Sequence, residues 1–133
     1  MPDPTIAFIA SESLAAQKAL RKFKKTYAHV EPEAADIVVA LGGDGFMLET
    51  LHRFMGSAKP IYGMHRGTVG FLMNGYKVEG LEGRISAATP VTLPPLLMTA
   101  HGVGGAAHTA RAINEVSLLR QTRQAAKIRI HLD

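Results

Sequence analysis

The chain has 133 residues, of which 47% are hydrophobic and 20% charged, with a formal charge of +4. That length holds one domain, or one domain and part of another, and the composition is that of a globular protein. No apolar run reaches bilayer-spanning length, the N-terminus carries acidic Asp3 rather than a basic secretory leader, and zero cysteines exclude disulfides, thiolate metal sites and cysteine nucleophiles.

These features predict a cytoplasmic protein with no membrane partner. The charge is mild, and much of it comes from Lys18, Arg21, Lys22, Lys24 and Lys25 within one predicted helix. A solvated helix face explains such a run, so no nucleic-acid partner is expected. Phosphate-bearing small molecules suit the same basic balance.

In chain order, Thr5–Ala10 (TIAFIA) is a short apolar run with β-branched residues and predicts a buried strand. Ser11 or Ser13 can cap the helix that follows. Leu14, Ala15, Ala19, Leu20 and Phe23 recur at helical spacing and form its expected buried face. After VEPEAAD breaks the pattern, Ile37–Leu41 (IVVAL) predicts a second buried strand. Next comes the glycine loop Gly42-Gly43-Asp44-Gly45. A helix is expected from near Phe46, with Met47, Leu48, Leu51, Phe54 and Met55 on its packed face. GSAKP reads as a loop, PIYGM as a third strand and HRGTVGFLMNG as a mixed loop.

Alternating strands and helices predict an α/β domain over residues 1–89, with a parallel sheet covered by helices. Ligands in such sheets collect at the carboxyl ends of the strands. The loops Gly42–Gly45 and His65–Gly70 both leave such ends and should share one rim. The pattern then changes. LLMTAH and HTARAINEVSLLR flank GVGGAA, a plausible hairpin turn, and KIRIHL alternates as a half-buried strand does. Residues 90–133 therefore predict the first strands of a β-rich, sandwich-like second domain that is incomplete within this chain.

The glycine loop carries the chemistry. Glycine accepts positive φ without steric cost, and bare backbone N–H groups can approach a phosphate closely. The helix behind turns its partial positive charge to the same point. A carboxylate would repel phosphate. Asp44 makes chemical sense if it holds Mg²⁺ on the phosphates or takes a proton from an attacking hydroxyl, which is phosphoryl-transfer chemistry. The alternative is a plain strand-to-helix turn in which Asp44 caps the helix. The loop is neither a Walker A motif nor a dinucleotide-binding GxGxxG. Six histidines (His29, His52, His65, His101, His108 and His131) show no metal-ligand spacing with carboxylates, so no metal-ligating residue is assigned.

LGGDGFMLET, PIYGMHRGTVGFL and INEVSLLR stand in the order and spacing of the NAD kinases, and from about Ile37 to Arg120 the chain resembles that family of the bacterial type. GGDG alone also occurs in lipid kinases and phosphofructokinases. The resemblance implies phosphoryl transfer from ATP, or polyphosphate, to the adenosine-ribose 2′-hydroxyl of NAD, giving NADP, with Mg²⁺ or another divalent cation as cofactor. It implies Asp44 as the catalytic carboxylate. Gly42, Gly43 and Gly45 would cradle phosphates, and Leu48 would line the pocket. Phe71 would pack near the adenine. Asn114 and Glu115 would bind adenosine, its ribose hydroxyls included. Taken without the resemblance, Phe71 reads as core, and Asn114-Glu115 as a bulge or edge in a strand.

Many members of the family have Asn where this chain has His65. The family pattern also has a further Gly/Ser/Thr/Ala-Tyr segment, and a last stretch that packs back on the first domain; neither lies in these residues. The chain therefore reads as the N-terminal portion of a longer enzyme, binding NAD poorly and not turning over alone. The resemblance further implies a homodimer or homotetramer. The other readings are a different GGDG kinase, for a lipid or sugar phosphate, and a non-catalytic nucleotide-binding fragment.

Overall fold

The computed structural model describes residues 2–67 and 70–133, so Thr68 and Val69 of the GTVGFL stretch lie outside the described residues. The chain divides into two compact units, Met1–Pro94 and Pro95–Asp133.

The first unit is a parallel sheet in the order β1-β2-β3, with β1 at Ile6–Ala10, β2 at Ile37–Gly42 and β3 at Ile61–His65. Continuous apolar runs suit strands buried on both faces. Register sets what each face receives. Phe8, Val39 and Tyr62 stand side by side, as do Ala10, Leu41 and Met64. Helix α1 (Leu14–Thr26) packs on this face through Ala19 and Phe23, and Val78 and Leu81 complete the same core. The Phe23 ring lies 5.3 Å from Phe8 and 6.0 Å from both Tyr27 and Tyr76.

Strand alternation turns Ala7, Val38, Ala40 and Gly63 to the opposite face. Helix α2 (Asp44–Phe54) lies there, and its Met47 methyl fills the space where Gly63 would carry a Cβ atom. The steps β1 to β2 and β2 to β3 run the same way across the sheet, yet their helices cover opposite faces. The two crossovers therefore have opposite hands, and one departs from the right-handed rule.

Local chemistry sets the helix ends. Ser13 caps α1 by accepting the Ala16 N–H at 3.2 Å. Lys24 and Lys25 stand in the last turn, where the helix dipole favours cations. Lys18, Arg21, Lys22, Lys24 and Lys25 are all exposed, as a solvated face requires.

The expected buried faces need correction. In α1 the buried residues are Ala16, Ala19 and Phe23, whereas Leu14 is 91% exposed. In α2 they are Met47, Thr50 and Phe54, whereas Leu48, Leu51 and Met55 are only half-buried. Helix α2 also starts at Asp44, earlier than Phe46, because both Asp44 and Gly45 join its first turn. A short helix α3 (Leu81–Ser86) is an addition to the sequence reading.

In the second unit, β4 (Leu96–His101) and β5 (Ala107–Ala112) form an antiparallel hairpin. Gly102 N–H donates to Ala106 O at 2.8 Å across the turn, and Gly105 takes φ +85°. The Lys127–Leu132 alternation forms no strand. A strand needs a ladder partner, and none stands beside this segment among the described residues.

Candidate functional site

The glycine loop is the turn between β2 and α2. Gly42 ends β2 with His65, the last residue of β3, as its register partner. Leu41 O accepts the Ser11 N–H at 2.9 Å, and Gly42 O accepts the Arg66 N–H at 2.7 Å. The carboxyl ends of all three strands thus meet around this turn.

Gly43 occupies the N-cap of α2 and has no side chain with which to cap it. The Met47 N–H closes the first intrahelical bond to Gly43 O at 3.0 Å. The N–H groups of Asp44, Gly45 and Phe46 therefore lack intrahelical partners, as at any helix start. Among the described residues, no atom beyond the chain neighbours and the helix's own backbone lies within 4 Å of where a Cβ would stand on Gly43 or Gly45. Open space, unpaired donors and the helix dipole together suit an anion such as phosphate.

Asp44 is the first residue of α2 and is half-buried. Its carboxylate does not cap its own helix; it bonds instead to the backbone of a later loop. Oδ2 accepts the Phe71 N–H at 2.8 Å, and Oδ1 accepts the Leu72 N–H at 3.0 Å. The segment that supplies these donors returns from the end of β3. Asn74 pairs beside Met64, donating its N–H to Gly63 O at 2.8 Å and accepting the His65 N–H at 3.0 Å. Gly70 lies directly against the carboxylate: a Cβ there would collide with Cγ and both oxygens of Asp44. Gly70 carries a steric requirement that the sequence reading missed; its only signal was a glycine in the loop predicted to share this rim.

Gly42, Gly43, Asp44, Gly45, Leu48 and the backbone of Phe71 come together in the first unit. Leu48, half-buried, is one helical turn beyond Asp44 on the same side of α2. The Phe71 side chain is 101% exposed, so it is not core; its ring faces are free for a flat ligand. Asn114 and Glu115 belong to the second unit, exposed just past β5, and form no bulge within it. Among the described residues, no three His, Asp or Glu side chains cluster as metal ligands.

A family profile described as "ATP-NAD kinase N-terminal domain" matches residues 7–82. The curated NAD kinase of Hyphomonas neptunium is 53% identical over 96% of this chain and 50% of its own length. That of Caulobacter vibrioides is 54% identical over 96% of this chain and 49% of its own length. For Brucella suis the figures are 53% identity, 100% and 52%. The chain spans about half the length of the curated relatives it matches. The glycine turn, its aspartate and the return loop all fall within the matched stretch, and the chain belongs to the NAD kinase family.

Proposed function

We propose that this chain forms the N-terminal half of an NAD kinase, which transfers a phosphoryl group from ATP, or polyphosphate, to the 2′-hydroxyl of the adenosine ribose of NAD. The observation that carries this reading is the half-buried Asp44 carboxylate beside a helix start with open space and unpaired N–H groups. The turn binds donor phosphates through backbone amides, Gly43 and Gly45 leaving room for close approach. Asp44 orients the ribose hydroxyl and accepts its proton as the oxygen attacks. Two amides take one site on each carboxylate oxygen, and further lone pairs stay available for a hydroxyl. Mg²⁺ carried on the phosphates would neutralise their charge.

Phe71 stacks on the adenine, Leu48 lines the pocket, and Asn114 and Glu115 bind the adenosine part, the carboxylate taking hydroxyl protons. Assembly into homodimers or homotetramers goes with the same reading. A cytoplasmic setting goes with the same reading. The 133-residue chain alone should bind NAD weakly and not turn over.

The test is Asp44→Asn in the natural full-length protein. NADP formation should fall by about 10²-fold or more, while calorimetry still detects NAD binding. Undiminished turnover removes Asp44 from the chemistry. A substrate panel of NAD, a sugar phosphate and diacylglycerol, each with ATP, should give product with NAD alone.

A further inference from the structure

Asp44 can act only if its carboxylate is held in one place, and three neighbouring residues of the return loop bear on that. We propose that Gly70 is a positioning residue for Asp44: its missing side chain leaves the seat in which the carboxylate takes the amides of Phe71 and Leu72. This rests on the role given to Asp44 above.

The geometry is specific. A Cβ on Gly70 would stand on Cγ, Oδ1 and Oδ2 of Asp44 together, so no single atom could move aside to relieve the clash. The carboxylate itself cannot swing freely either. Its two oxygens are each fixed by a separate amide, at 2.8 and 3.0 Å, from the two residues that follow Gly70. The glycine and the donors therefore form one unit, in which the loop backbone both contacts the carboxylate and sets its plane. The loop is in turn anchored on β3 through Asn74, whose side-chain amide donates to Gly63 O at 3.0 Å. The route from sheet to reacting group is short: β3, Asn74, the amides of Phe71 and Leu72, then Asp44.

An added methyl at Gly70 forces the carboxylate out of this seat and breaks both bonds. Misplacement of a reacting group by about 1 Å can cost on the order of 10²-fold in rate. In the full-length protein Gly70→Ala should therefore lower kcat by about that factor, with a much smaller change in KM for NAD. Amide hydrogen exchange on the 133-residue chain gives a second reading that needs no turnover. Each bond to a carboxylate contributes about 1.5–3 kcal/mol, so Phe71 and Leu72 should exchange on the order of 10- to 100-fold faster in Gly70→Ala and in Asp44→Ala. Gly75→Ala is the control, because among the described residues nothing beyond its chain neighbours lies within 4 Å of its Cβ position; both amides should stay protected.

Asp44→Ala frees the amides without crowding the loop, and it tests the clamp even if Gly70→Ala fails to fold. Unchanged exchange at Phe71 and Leu72 in Asp44→Ala overturns the proposal, as does wild-type kcat in a folded Gly70→Ala enzyme. Faster exchange in Gly70→Ala beside full turnover in Asp44→Asn would uphold the clamp and sink the catalytic role of Asp44 instead.

Discussion

Tyr27 offers a clean measure of how the first unit is tied together. It is the C-cap of α1, and its hydroxyl donates to Val78 O at 2.5 Å while accepting the Leu81 N–H at 3.3 Å. Val78 is 5% and Leu81 0% exposed, so water replaces neither partner easily. Leu81 also opens α3 behind Gly80, which offers no side-chain cap, and its N–H has no intrahelical acceptor. Tyr27→Phe deletes the hydroxyl but keeps the ring, with its centroid 6.0 Å from Phe23 and 6.3 Å from Phe8. The loss is then two hydrogen bonds and two stranded polar groups, about 2 kcal/mol in all. In a unit of this size that lowers the melting temperature by on the order of 10 °C. Urea unfolding followed by circular dichroism should show an earlier midpoint with an unchanged slope. A loss under about 0.5 kcal/mol would refute the reasoning, because solvent would then be replacing the hydroxyl.

Phe23→Ala removes the centre of the aromatic cluster and should cost about 3–5 kcal/mol in the same unfolding assay, enough to leave the first unit largely unfolded at 37 °C. Asp36 accepts the Thr5 hydroxyl at 2.7 Å and the Thr5 N–H at 2.8 Å, and these bonds hold its carboxyl below the ordinary range. A lowered folded-state value stabilises above the ordinary carboxylate range and is lost as pH falls through the folded value. Thr5→Val should therefore reduce stability at neutral pH and flatten its acid-side decline, as thermal melts across pH will show. Arg53 pairs with Glu33 on the surface, with both side chains more than half exposed. Arg53→Ala should leave the unfolding midpoint nearly unchanged.

The strands β1 and β2 were legible because each is a continuous apolar run, and the parallel sheet followed from the alternation with helices. The helix faces were less so. Hydropathy ranks Leu14 above Ala16, but the small Ala16 can sit against the sheet while Leu14, in the first turn, overhangs into solvent. Thr50 is 2% exposed and invisible to an apolar count; its hydroxyl is satisfied by donating to Phe46 O at 2.8 Å. Lys127–Leu132 has the alternation of a strand, but alternation reports a preferred face, and a strand also requires a neighbour. The site showed the same division. That Gly42 to Gly45 form a turn from strand to helix could be read from local pattern alone. That the Asp44 oxygens receive amides 27 and 28 residues further on is a tertiary fact with no local signature.

The two faces of the sheet divide the work. One face carries the large residues, Phe8, Leu41 and Met64, and meets α1, Val78 and Leu81 in a thick apolar core. The other presents Val38 beside the small Ala7 and Ala40 and the bare Gly63, and α2 lies against it with Met47 in the gap that Gly63 leaves. A helix packed on small residues approaches the sheet closely and has little freedom to rock. Its first residue is Asp44, one residue past the Gly43 cap that follows β2. The contact of α2 with the sheet sets where the helix start stands, and the amides of Phe71 and Leu72 then set the carboxylate. The opposite-handed crossover is what places the thick core and the helix behind the glycine turn on different faces.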